Sequence, residues 1–224
     1  SKDKTVTKAT IYQKKLDLKI ITSQIQNVCY QRNLGSSTAK SDYLIFMDAD
    51  NRLPNYFLQG IKYRLDSSPF DLFTTWILPD GKDMGSLAIS NIINLWLDVQ
   101  QNTNEPWLIE AMLVIKKRIF QSLKGFDVNI HINEGYDLVS RAIRKKYLYK
   151  VYKDPAYTFS LRRLKKVGAF KTISSVAQLE IARITKQKLT KGQIRKLYPM
   201  EGGGFFDHQN KVVLTKLKSR LIKT

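Results

Sequence analysis

The stretch YLIFMDADN, residues 43–51, decides how the rest of the chain is read. Five apolar or aromatic residues run directly into Asp48 and Asp50, with only Ala49 between the two acids. An unbroken apolar run of this length reads as a fully buried strand. In open α/β sheets, ligands sit outside the carboxyl ends of the strands. Alternate residues of a strand share a face, so both carboxylates can point into one crevice. Two anions held side by side repel unless a cation lies between them. Mg²⁺ or Mn²⁺ shared with a diphosphate meets that need, because such ions take one or two carboxylates together with phosphate oxygens. A plainer reading stays open, in which Asp50-Asn51 caps the next helix or closes a turn.

Strands and helices alternate on both sides of this stretch. Residues 8–15 close a helix, LKIITS (18–23) forms a short strand, and NVCYQRNLGSSTAK (27–40) forms a helix rich in small residues. Pro54 opens a helix over residues 55–65, since proline is tolerated in a first turn. DLFTTWIL (71–78) is a strand bounded by Pro69 and the turn Pro79-Asp80-Gly81. Apolar residues at 88, 92, 95, 96 and 99 make a helical stripe. AMLVIKKRIF (111–120) is a strand running into a basic turn, and GYDLVSRAIRKKY (135–147) a helix ending in cations. LYKVYKDPAYTFSL (148–161) alternates like an edge strand stopped by Pro155. Such alternation predicts an α/β domain, with a mostly parallel sheet and flanking helices.

With 224 residues, 43% of them hydrophobic, the chain can bury a sizeable core, which excludes general disorder. Its formal net charge of +19 calls for an acidic partner: nucleic acid, an anionic membrane surface or a phosphorylated small molecule. Zinc-finger spacing, an RNP-like aromatic motif and an evident helix-turn-helix are all missing, so nucleic acid is not the expected partner. Cys29 is the only cysteine, which forbids an intramolecular disulfide and points to a reducing compartment, by default the cytoplasm. The opening SKDKTVTKAT lacks the apolar centre of a signal peptide. Residues 84–97, the longest uncharged run, are too short to cross a bilayer.

QRNLGSSTAKSDYLIFMDADNRLPNYFL (31–58) resembles the segment of family 2 glycosyltransferases in which an Arg-Asn-x-Gly helix leads into the strand bearing an Asp-x-Asp motif. Arg32, Asn33, Gly35, Ala39, Asp42-Tyr43, Phe46, Asp48, Asp50 and Pro54 fit that pattern. IKKRIFQSLKGFDVNIHINEGYDLVSRAIRKKY (115–147) resembles the family's acceptor-side segment through Arg118, Phe120, Gly125-Phe126-Asp127, Glu134, Asp137, Leu138 and Arg141. The resemblance implies a GT-A-type fold, Rossmann-like, and transfer of a sugar from a nucleotide-diphosphate donor to a glycan or lipid-linked acceptor. It places Asp48 near the donor's ribose, Arg32 near the base or phosphates with Asn33 beside it, and Asp50 on the metal, Mg²⁺ or Mn²⁺. The glycosyltransferase domain covers residues 1–163, and residues 164–224 form a basic, mainly helical extension.

Two departures from the family pattern stand out. Gly135 occupies the position where the family usually carries the Asp that serves as catalytic base in inverting members, and glycine cannot take a proton. Either Glu134 or Asp137 takes over, or the chain transfers weakly and serves as a binding protein. SKDKT resembles the end of a turn that normally follows two strands and a helix, so the front of the fold is expected to be missing. That loss predicts a gap in the sheet beside residues 44–47, or a rearrangement bringing Ile20 and Ile21 into it. The cations that follow Ser160 face a row of Val167, Phe170, Ile173, Val176 and Leu179, as in helices that lie on anionic lipid or simply as a solvated face. Peripheral attachment at the cytoplasmic membrane face is the matching location. His208 is a late candidate for the metal, and His131 is too distant in sequence to join it locally.

Overall fold

In the computed structural model, β1 (Tyr43–Met47), β2 (Leu72–Pro79), β3 (Met112–Lys116) and β4 (Tyr149–Phe159) form one open sheet in the order β1-β3-β2-β4. The structure describes residues 4–130 and 132–162, with a discontinuous set between 168 and 197. These belong to two compact units, Ser23–Thr172 and a second formed by Ser1–Thr22 with Ile173–Thr224. The whole sheet lies in the first unit. The second contains α1 (Thr5–Thr10) and the late helix α7 (Lys191–Leu197). His131, His208 and most of the amphipathic basic stretch expected after Arg162 fall outside the described residues.

β1 pairs with β3 over its full length, antiparallel, from Tyr43 opposite Lys116 to Met47 opposite Met112. β2 is antiparallel to β3 and parallel to β4. Three strands therefore run one way, as expected of a mostly parallel sheet, but the reversed β3 sits among them and makes two of the three ladders antiparallel. The connection explains the reversal. After β2 the chain runs out along α4 (Met84–Gln100) and returns through the irregular residues 101–111. It thus re-enters the sheet at the end where β2 left, whereas a helix alone would have returned it for a parallel strand.

Burial corrects the reading of the opening stretch. Leu44 and Phe46 are buried but Ile45 is 40% exposed, so β1 is covered on one face, not on both. The strand buried throughout is β3, with Met112, Leu113, Val114 and Ile115 all in the core. β1 is exposed because it lies at the sheet's edge, and among the described residues its only partner is β3. Among the described residues, no strand pairs with residues 44–47 on the side away from β3. Residues 18–23 form no strand.

The other edge belongs to β4, which continues through Pro155 instead of stopping there. Its pairing with β2 shifts register between Thr75 and Ile77, and Pro155 falls in that irregularity, where a missing N–H costs no ladder bond. α4 begins at Met84, four residues before the apolar stripe, because the Asp83 side chain accepts from the Ser86 N–H. The basic turn after β3 is a short helix, α5 (Lys117–Ser122). α2 (Val28–Thr38), α3 (Phe57–Ser67) and α6 (Glu134–Arg144) occupy the expected helical segments.

Candidate active site at the carboxyl end of β1

The floor of the site is aromatic. Phe46 of β1 packs against Phe120 and Phe126 with ring centroids 5.0 Å away in each case. α2 turns Cys29 into the core and presents Arg32 and Asn33 one turn later. Asn33 donates to the Phe126 carbonyl at 2.8 Å and accepts from the Phe126 N–H at 2.9 Å. Gly125 makes this approach possible: its φ is +68°, and a Cβ there would stand 2.6 Å from Asn33 Oδ1. Phe126 is thereby held beneath the Arg32 guanidinium, 5.5 Å from the ring centroid.

Arg32 is the hub. One guanidinium nitrogen donates to Glu134 Oε1 at 2.9 Å, while the other donates to Asp48 Oδ1 at 2.9 Å and to the Glu110 carbonyl at 3.1 Å. A planar fork with fixed donors suits this bridging in a way that an ammonium does not. The fold thus brings Arg32, Asp48 and Glu134 together from α2, the end of β1 and the start of α6. Desolvation pushes the Asp48 carboxyl above its usual range, against the pull of Arg32, and the nearby Asp50 and Glu134 charges add to the rise. Cys29, beneath the cluster, has its thiol pushed up to about 11 by burial and by Glu134.

The other sequence candidates are placed differently. Asp50 Oδ2 accepts from Arg162 Nη2 at 2.6 Å, and both side chains stay well exposed. Asn33 spends its amide on the Phe126 backbone. Asp137 is paired with Arg141 at 2.7 Å, and Arg141 also donates to the Leu123 and Gly125 carbonyls, so this acid anchors a loop away from Arg32. Among the described residues, no group of three His, Cys, Asp or Glu side chains forms a metal cage. A hard ion shared with phosphate does not require one. One exposed carboxylate at Asp50, with Asp48 two residues away, fits that mode of binding.

Sequence reading missed Glu110. Its Oε1 accepts from the Gly135 N–H at 2.7 Å and from the Tyr136 N–H at 3.4 Å. Asn133 offers α6 no side-chain cap, so Glu110 satisfies the first turn of that helix from another part of the chain. Burial pushes the Glu110 carboxyl well above its usual range, and the adjacent Glu134 carboxyl raises it further. The signal in the sequence was an acid immediately before the apolar run AMLVI, the mirror image of acids closing such a run.

The pattern described as Glycosyl transferase family 2 matches residues 1–124. No curated protein matches the chain significantly. Among solved structures, the chain resembles the mannosyltransferase PcManGT from Pyrobaculum calidifontis in complex with GDP-Man and Mn²⁺, with a TM-score of 0.61 and 12% identity over 88% of this chain and 56% of that one. It also resembles S. aureus TarS 1–349, with a TM-score of 0.56 and 14% identity over 91% of this chain and 62% of that one. The same protein in complex with UDP-GlcNAc gives 0.56 and 15%, over 88% and 58%. The chain therefore spans roughly three-fifths of the length of these structures. The sheet is that of a GT-A-type fold, and the chain belongs to the family 2 glycosyltransferases.

Proposed function

We propose that the chain binds a nucleotide-diphosphate sugar at the carboxyl end of β1 and transfers the sugar to a cell-envelope or lipid-linked acceptor. The observation that carries this reading is the junction of Arg32, Asp48 and Glu134 beside Asp50, in a chain of this family. Asp48 faces the donor's ribose, Arg32 its base or phosphates, and Asn33 supports both by fixing the loop under Arg32. Asp50 holds Mg²⁺ or Mn²⁺ against the diphosphate. When bound, that ion stabilises the charge developing on the leaving nucleotide diphosphate. Arg162, already against Asp50, adds protein-borne positive charge at the same place.

The catalytic work belongs to residues 1–163, and the basic residues 164–224 meet an anionic membrane surface on the cytoplasmic side. No helix among the described residues is long and apolar enough to cross a membrane. The excess of cations is assigned to phosphate groups of donor and lipid, not to nucleic acid. A second reading, a GT-A-fold protein that binds a donor without transferring, is favoured by Gly135.

Calorimetry with UDP and GDP, with and without Mg²⁺ or Mn²⁺, tests the site. Metal should be required, and Asp50→Asn should weaken binding by about tenfold or more, exceeding the effect of Asp48→Asn. Metal-independent binding that ignores Asp50→Asn would remove the assignment. Turnover of a bound donor separates the transferase from the binding protein.

A further inference from the structure

We propose that Glu110 is the catalytic base of this site, its carboxylate standing where a side chain at position 135 would lie. The assignment rests on the sugar-transfer reading above and names a residue of that same site. Its first ground is steric. A Cβ on Gly135 would come 3.2 Å from Glu110 Cγ and 3.3 Å from Glu110 Oε1. A side chain at position 135 would therefore be crowded by Glu110, which arrives from the loop before β3 and would have to shift to admit it.

The second ground is orientation. The Gly135 and Tyr136 N–H groups hold one Glu110 oxygen at the start of α6. The carboxyl is thereby fixed among Glu134, Arg32 and the Cys29 thiol, the titratable and charged groups that face it. The third ground is the state of the other acids. Glu134 is 4% exposed, its Oε1 is taken by Arg32, and its buried Oε2 meets no donor. Asp137 is tied to Arg141. Glu110 keeps more accessible surface than Glu134, whose charge acts on it.

In the transfer step, deprotonated Glu110 takes the proton of the acceptor hydroxyl as its oxygen bonds to the anomeric carbon. The bond from that carbon to the diphosphate oxygen breaks, and the electron pair leaves with the nucleotide diphosphate. Because burial and the Glu134 charge hold the Glu110 carboxyl above the ordinary carboxylate range, its base form appears only above that range. Turnover therefore rises with pH through that region.

Glu110→Gln separates chemistry from capping, since the amide oxygen still accepts from the two N–H groups but takes no proton. Turnover of UDP- and GDP-sugars, donor hydrolysis included, is followed against pH, with donor binding measured by calorimetry. Glu110→Gln should lower kcat by about 100-fold or more with donor affinity nearly unchanged, and the acid limb should vanish from the residual rate. Gly135→Asp alone should be inhibitory because it collides with Glu110. Combined with Glu110→Ala, it should restore part of the rate that Glu110→Ala loses together with the acid limb of the pH profile, which a purely structural cap would not restore. An active Glu110→Gln with bound donor, or a wild-type chain that binds donor without turnover, would overturn the role of Glu110 and leave donor binding standing. Absence of donor binding in the wild type would bring down the sugar-transfer reading and this assignment together.

Discussion

Single side chains hold this domain together where strands meet loops, and Asp71 shows how. Its carboxylate accepts from Lys116 Nζ at 2.9 Å and from the Leu148 N–H at 3.0 Å, joining β2 to β3 and to the entry of β4. Burial pushes the Asp71 carboxyl up, but the Lys116 and Leu148 hydrogen bonds and the charges of Lys116 and Arg118 outweigh it, leaving the group below its usual range. A carboxyl lowered in the folded state stabilises the fold above its unfolded value, near 4, and loses that contribution as pH falls through its folded value. Asp71→Asn should therefore cost on the order of 1–2 kcal/mol at pH 7. Urea melts of both proteins should converge as the pH is taken below about 4. A constant difference across that range would show that Asp71 acts through packing alone. The same scale explains Arg32: one guanidinium stabilises two acids that would otherwise repel, one of them buried.

At the scale of elements, the break in the β2–β4 ladder needs a partner from outside the sheet. Asn94 of α4 supplies it, accepting from the Ile77 N–H at 2.9 Å and donating to the Ile77 carbonyl at 2.9 Å. Ile77 is the residue at which the register shifts, so the helix side chain replaces bonds that the irregular strand cannot make. Asn94 is itself buried. Asn94→Leu keeps the branched shape but strands both backbone groups, at about 1–3 kcal/mol each. The variant should lose roughly 2–5 kcal/mol by chemical denaturation, with hydrogen exchange at Ile77 accelerating most. A loss below about 1 kcal/mol would mean that β2 and β4 repair their own ladder.

For the molecule as a whole, the open edge of β1 is the main liability. Among the described residues it pairs with β3 alone and carries Ile45, 40% exposed, at one of the two edges of the sheet. An uncovered, apolar edge strand is a template for pairing with another chain. The chain should associate as its concentration rises, seen as a shift in sedimentation. Ile45→Lys should suppress this while leaving the melting temperature within about 3 °C. Association unaffected by Ile45→Lys would move the contact to another surface.

The amino-acid sequence by itself determined most of the succession of elements from residue 27 onward, because apolar periodicity and the turn residues around it are local properties, whereas the strand expected at 18–23 did not form. It also pointed to the acids that close β1 and to the family, since both rest on residues close together in the chain. What it left open depended on contacts between distant residues. The exposure of Ile45 follows from β1 lying at an edge, and nothing inside YLIFMDADN distinguishes an edge strand from a central one. The continuation of β4 through Pro155 depends on a register shift against β2, which lies some eighty residues earlier in the chain. Gly135 read alone was a lost carboxylate. Only the tertiary structure decided that Glu110, twenty-five residues before it, fills the space beside the bare backbone. The physical reason is that a carboxylate's proton affinity and reach are set by whatever surrounds it in space, and β3 and α6 come together only when the sheet forms.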